Sequence, residues 1–231
     1  MNSHNNLART FGVFFILTFI SYGSGSALID TITSSPLMLV NVYENQTAYV
    51  IGIILMTLVH TLFNIGLPLL MLPIMKPYNL FCSYGYLSFA IIATMMLNVG
   101  GLILLLILPL SIDYASTDFA TLGSIELMAN LLQQGGYYAY YLGMSFWATG
   151  SLLFTFTLYQ SGLIPRVMSI WGALGYLILF LGSLSQLFAH NAEVEVNSMI
   201  LGGAFEVALS FWLIVKGFNH EKTNAEVGLA Q

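Results

Sequence analysis

Six long apolar stretches, near residues 11–32, 48–74, 80–108, 137–159, 167–189 and 196–216, constrain this chain more than any other feature. Each reaches or exceeds the roughly 17 to 25 residues needed to cross a hydrocarbon core of about 30 Å. Inside lipid the backbone has no water to bond, so such stretches read as helices. The 231 residues are 58% hydrophobic and only 6% charged, with a mean hydropathy of +0.84. Soluble domains carry about a quarter charged residues. With so few polar side chains the chain cannot cover a water-facing shell, and most of its surface must meet lipid or other helices. The expected fold is all-α: a polytopic transmembrane helical bundle forming one domain over residues 1–231.

Short polar segments separate the stretches. Asn41 to Gln46 lies between the first and second, Lys76-Pro77-Tyr78-Asn79 between the second and third, and Gln160 to Arg166 between the fourth and fifth. All five basic residues fall on one side of this arrangement: Arg9, Lys76, Arg166, Lys216 and Lys222. Short basic loops are kept in the cytoplasm, so both termini are expected inside, with residues 217–231 as a cytoplasmic tail. Glu44, Asp113, Asp118, Glu126, Glu193 and Glu195 fall in the opposite loops. A rival reading takes residues 1–27 as a cleaved signal peptide ending in small residues at Gly25 and Ala27, which would leave five spans.

The longest connection, Ser111 to Gly136, carries Phe119, Leu122, Ile125, Met128, Leu131 and Leu132 at near-helical spacing. That pattern predicts one outer amphipathic helix over 119–134, lying on the membrane surface or dipping between spans, with Gly135-Gly136 breaking it from span four. Tyr137, Tyr138, Tyr140 and Tyr141 would then form an interfacial aromatic belt. Pro68 and Pro73 should bend span two, and Ser21, Gly23, Ser24, Gly25 and Ser26 should let a neighbouring helix approach span one closely.

Ionisable groups at membrane depth are costly and therefore candidates for function. His60 lies about halfway through span two and Glu206 about halfway through span six, so the two share a depth. Asn64 and Thr57 are expected on the His60 face, Gly203 and Ser210 on the Glu206 face, and Asn98 of span three could complete a polar pocket. Such a group could relay a proton or hold a small solute; the opposing reading is that these side chains only hydrogen-bond helices together. Asp30 sits near the outer end of span one, where a carboxylate reaches the interface. His190 beside Glu193 and Glu195 is a weak metal hint against a solvated loop. Asn45-Gln46-Thr47 fits the glycosylation pattern. Cys82 is the single cysteine, so an intrachain disulfide is excluded. No Walker loop, GxSxG, HExxH or CxxC appears, no motif implies a cofactor or a catalytic residue, and no basic stripe suits nucleic acid.

Leu163-Ile164-Pro165-Arg166-Val167-Met168-Ser169-Ile170-Trp171-Gly172 and Glu206 through Asn219, together with Ala8-Arg9-Thr10-Phe11-Gly12 and Tyr141-Leu142-Gly143, resemble a bacterial integral membrane protein family known as domain of unknown function 4386. The resemblance implies a six- or seven-helix bundle in a prokaryotic plasma membrane and a family acid at Glu206, but no catalytic role. Many members place an Arg and, three residues on, a Glu in the third span, where this chain has Ala90 and Ala93.

Three functions follow as expectations. The first is a small permease or channel-like protein with a polar path lined by His60, Asn64, Asn98, Glu206 and Ser210. The second is a non-catalytic membrane factor that binds lipid, another membrane protein or a second copy of itself. The least supported is an intramembrane enzyme using Glu206 and His60 as acid and base.

Overall fold

The structure is a computed structural model that describes residues 3–116 and 121–219. Every regular element among them is helical. In chain order these are α1 (Ser3–Thr33), α2 (Met38–Glu44), α3 (Gln46–Ile54), a π-helical turn (Leu55–Val59), α4 (His60–Met75), α5 (Leu80–Leu105), α6 (Ile107–Ser116), α7 (Leu122–Ser161), α8 (Arg166–Phe188) and α9 (Ala192–Val215). Five stretches of helix are long and apolar enough to cross a membrane: Asn5–Thr33, Gln46–Met75, Leu80–Ser116, Arg166–Phe188 and Ala192–Val215. Only 28% to 39% of each is buried by protein, which leaves most of its apolar surface for lipid. The chain is a multi-pass membrane protein with an all-α bundle architecture.

Those five correspond to the expected spans one, two, three, five and six, to within one residue at the ends of the last two. The expected fourth span, 137–159, is the C-terminal part of α7, which is less apolar than the others because tyrosines and the hydroxyls of Ser145, Thr149, Ser151, Thr155 and Thr157 run through it. The break expected at Gly135-Gly136 is absent: α7 is continuous over 40 residues, or about 60 Å. Gly136 serves packing instead. A Cβ on Gly136 would lie 2.9 Å from the Leu104 side chain. The amphipathic segment is therefore the first half of α7, with Ala129 buried and Ile125 and Leu132 against the same core, while Leu127, Met128 and Leu131 are exposed apolar residues. Residues 119 and 120 of it lie outside the described part, as do residues 220–231 of the expected tail.

Two expected connections are also helical. Residues 41–44 belong to α2, which buries Met38, Leu39 and Val42. The third span is interrupted at Leu106 and resumes as α6, because Pro109 has no N–H to offer the carbonyl of Leu105. At this interruption the Tyr49 hydroxyl donates to the Leu104 carbonyl at 2.7 Å. Pro68 and Pro73 both lie within α4, which stays helical to Met75.

The chain divides into two compact units. Unit one takes in residues up to 17, 63–94 and from 141 onward, and its core includes Phe11, Met71, Tyr86, Trp147, Tyr176 and Phe205. Asn79 accepts from the Cys82 amide at 3.0 Å and so caps α5. Asn191 does the same for α9 through the amides of Glu193 and Val194. Helices α8 and α9 pack backbone to backbone, since a Cβ on Gly175 would stand 2.8 Å from both Cα and N of Gly202. Unit two comprises residues 18–62 and 95–140, with a core of Ile29, Ile32, Met38, Val42, Tyr49, Ile53 and Ile107. Of the small residues of α1, Gly25 makes a close approach, since a Cβ there would meet the Gly52 carbonyl oxygen at 2.6 Å, whereas Gly23 has nothing within 4 Å.

Candidate functional site

Glu206 is buried in unit one, halfway along α9, and three helices converge on it. Trp147 of α7 donates from Nε1 to its Oε1 at 3.2 Å, and the Tyr176 hydroxyl of α8 donates to the same oxygen at 2.8 Å. Trp and Tyr usually stand at the membrane interface, where their polar ends reach water; in mid-span each carries a donor that needs an acceptor. Glu206 supplies it for both. Its second oxygen, Oε2, accepts no hydrogen bond among the described residues, and no ion pair reaches the carboxylate there.

The surroundings are aromatic. Tyr86 of α5 lies against Trp147 with ring centroids 6.3 Å apart, Phe15 meets Trp147 edge-on at 6.2 Å, and Phe205 meets Tyr176 edge-on at 5.8 Å. The Tyr86 hydroxyl is buried within electrostatic reach of Glu206 and has no hydrogen-bond partner among the described residues. Buried polar groups are almost always paired. Two polar oxygens here make no hydrogen bond among the described residues, Glu206 Oε2 and the Tyr86 hydroxyl. An acceptor-only carboxylate without a counter-charge among the described residues suits a proton or a small cation.

Trp147, Tyr86 and Tyr176 were not among the residues singled out in the sequence. The signal was available for two of them: Trp147 and Tyr176 fall at the centres of their stretches, at the same depth as Glu206, away from any interface. Ser210, expected on the Glu206 face, instead donates to the Glu206 backbone carbonyl at 2.7 Å and stands apart from the carboxylate's own bonds. Asn64, also in unit one, donates to Thr94 Oγ1 at 2.8 Å, and Thr94 donates onward to the Ala90 carbonyl at 2.7 Å. Ala90 and Ala93 are themselves buried core residues. Replacing Asn64 with leucine should lower stability by about 1 kcal/mol, since Thr94 keeps its backbone acceptor. Thermal unfolding of the detergent-solubilised protein checks this, and an unchanged midpoint would contradict it.

His60 and Asn98 belong to unit two. His60 Nδ1 lies 3.3 Å from the Thr18 carbonyl oxygen, and a carbonyl only accepts, so Nδ1 carries the hydrogen. The Tyr22 ring meets the imidazole edge-on at 5.1 Å. Asn98 Nδ2 donates to Thr61 Oγ1 at 2.9 Å. The π-helical turn Leu55–Val59 immediately precedes His60 and inserts an extra residue into that turn, so Thr57 does not share the His60 face. Thr57 packs against Gly101 of α5, whereas His60 turns to α1. His60 and Glu206 thus fall in different units, each with its own partners.

Other candidates resolve into structural roles. Glu193 and Glu195 occupy the first turn of α9, where the helix dipole favours acids, and no group of three or more potential metal ligands is gathered among the described residues. Of the four tyrosines at residues 137–141, Tyr140 stacks on Tyr22 at 5.7 Å and Tyr141 is fully buried, whereas Tyr138 is exposed. Asp30 accepts from Ser26 at 3.1 Å in an exposed position.

No curated protein and no solved structure matches the chain. The pattern of one family, described as Domain of unknown function (DUF4386), matches residues 10–217 and so takes in Glu206, Trp147, Tyr176 and Tyr86 alike. The chain belongs to this family of domain of unknown function 4386.

Proposed function

We propose that this protein is a small permease or channel-like membrane protein whose working group is the Glu206 carboxylate, a binding point for a proton or a small monovalent cation. The observation that carries this reading is the lopsided use of the carboxylate: two donors on Oε1, none on Oε2, and a second unpartnered oxygen nearby on Tyr86. The second oxygen of this buried residue is thereby left free to take a proton or a cation. Ionisable groups at this depth line ion and proton pathways. The sidedness of Arg9, Lys76, Arg166, Lys216 and Lys222 supports six spans with both termini inside, α7 providing the fourth, in the plasma membrane of a prokaryote.

The second reading is a non-catalytic membrane factor in which Glu206 only joins helices. It rests on the fact that its two hydrogen bonds link α7, α8 and α9. Flux separates the two. Purified protein in vesicles carrying a trapped pH dye should dissipate an imposed proton or potassium gradient faster than empty vesicles. Glu206→Gln, which keeps an acceptor oxygen but loses the titratable charge, should bring that rate down at least about tenfold. If the variant folds normally and its flux equals that of the wild type, or if neither exceeds empty vesicles, the helix-joining reading replaces the permease.

A further inference from the structure

A second feature of unit one, distinct from Glu206, lies at the end of the α8 and α9 hairpin. The turn before α8 and the segment after α9 border an open cavity of about 570 Å³, lined by Gly162, Pro165, Arg166, Trp212, Lys216 and Phe218 among others. The walls are fixed by the chain itself. Gly217, at φ +71°, closes the C-terminus of α9 in the left-handed conformation, and the Asn219 amide donates to the Leu163 carbonyl at 2.9 Å.

Two of the five basic residues in the sequence stand on this cavity, and among the described residues no Asp or Glu lines it. The Arg166 guanidinium lies over the Tyr159 ring at 5.5 Å, and the Lys216 ammonium over the Trp212 ring at 4.2 Å. Neither makes an ion pair among the described residues. The rings hold the cations in place while leaving their hydrogen-bond donors unspent. A third source of positive potential is the N-terminus of α8: Pro165 stands at its N-cap and offers no side-chain acceptor, and although Met168 donates to the Pro165 carbonyl at 2.9 Å, no side chain caps the amides of Arg166 and Val167 before it. Just beyond the rim the surface turns apolar and open, with Val167 and Val215 each more than 70% exposed, and Ile170 and Phe211 one turn further along.

We propose that this cavity binds the phosphate headgroup of an anionic phospholipid. Arg166 and Lys216 take the phosphate oxygens, and the acyl chains run along Val167, Ile170, Phe211 and Val215. Both chemistries are needed together: the cations and uncapped amides select a phosphate, and the apolar ridge beside them selects one that carries hydrocarbon. Basic pockets between membrane helices recognise lipid headgroups in this way. The site stands on residues other than Glu206, so it holds whether or not that carboxylate carries a solute.

The test uses the full chain in nanodiscs of phosphatidylcholine doped with brominated phosphatidylglycerol, reading the quenching of tryptophan fluorescence together with lipid retention by native mass spectrometry. Phosphatidylglycerol should quench and be retained well beyond brominated phosphatidylcholine. Raising the salt from about 50 mM to about 500 mM should weaken that preference in the unaltered protein, a readout independent of any variant's folding. The double change Arg166→Gln with Lys216→Gln should reduce retention by about tenfold or more. Arg166→Lys with Lys216→Arg should keep most of it. Equal retention of the two lipids, no salt effect, or an undiminished double variant would each overturn the proposal. So would inorganic phosphate that binds the lipid-free protein in detergent as tightly as phosphatidylglycerol does, which would mark a free-anion site instead.

Discussion

Gly175→Leu is expected to disassemble the α8 and α9 hairpin. A Cβ at this position already stands 2.8 Å from the Cα and N of Gly202 and 3.1 Å from the carbonyl carbon of Leu201. Those are backbone atoms, which cannot rotate aside as a side chain would, so the helices must separate along the contact. The separation would reach Gly172, whose own Cβ position lies 2.5 Å from the Phe205 ring, and with it the Tyr176 hydroxyl that meets Glu206. Overpacking a tight core costs about 1–3 kcal/mol, and a full leucine against backbone belongs at or above the upper end. Size-exclusion profiles of detergent-solubilised protein should lose the monodisperse peak, or its thermal midpoint should fall by ten degrees or more. Gly203→Ala on the partner helix α9 provides the contrast: a Cβ there meets nothing within 4 Å, so the change should be neutral or should stabilise α9 by up to about 1 kcal/mol. A well-behaved Gly175→Leu protein with an unshifted midpoint would refute the packing argument.

Glu206→Leu is the second large effect. It leaves Trp147 Nε1 and the Tyr176 hydroxyl as buried donors with no acceptor, each worth about 1–3 kcal/mol in soluble proteins and somewhat less in a membrane. A total loss of about 2–4 kcal/mol follows. Glu206→Gln should lose much less, because its carbonyl can still receive both donors. The informative variant combines Glu206→Leu with Trp147→Phe and Tyr176→Phe. Removing every polar partner at once removes the unsatisfied groups, so the triple variant should regain most of the stability that the single leucine loses. Additive losses across the three changes would mean that the hydrogen bonds at Oε1 do not hold these helices together.

The membrane class was readable in the chain because hydropathy adds up along a segment and needs no partner: six stretches with few charges exclude a soluble fold whatever they pack against. The depth of Glu206 was readable for the same reason, being a count of residues from each end of its stretch. Continuity was harder to read. Gly135-Gly136 looks like a break, and in an isolated helix it would weaken the turn, yet close packing beside Leu104 uses the absence of a side chain at Gly136 and α7 runs through. The helical stretch 107–116 and the interruption before it turn on Pro109, whose missing donor acts four residues upstream, within an apolar run that reads as uniform.

Facing is where sequence reasoning stopped. Thr57, His60 and Asn64 fall on one face of an ideal helix, but the π-helical turn at Leu55–Val59 changes the count per turn and separates Thr57 from His60. Glu206 was expected with His60, Asn64, Asn98 and Ser210, and its bonds go instead to Trp147 and Tyr176, 59 and 30 residues away along the chain. Aromatic residues at mid-span pointed to unmet donors without saying which acceptor would meet them. That pairing depends on which helices lie side by side, and glycine contacts such as that between Gly175 and Gly202 set how closely they lie. Composition along one dimension was enough to establish a multi-pass helical membrane protein carrying an acid at mid-depth. Its partners are a property of three-dimensional packing, because a hydrogen bond needs an approach within about 3 Å that no spacing along a single helix can supply.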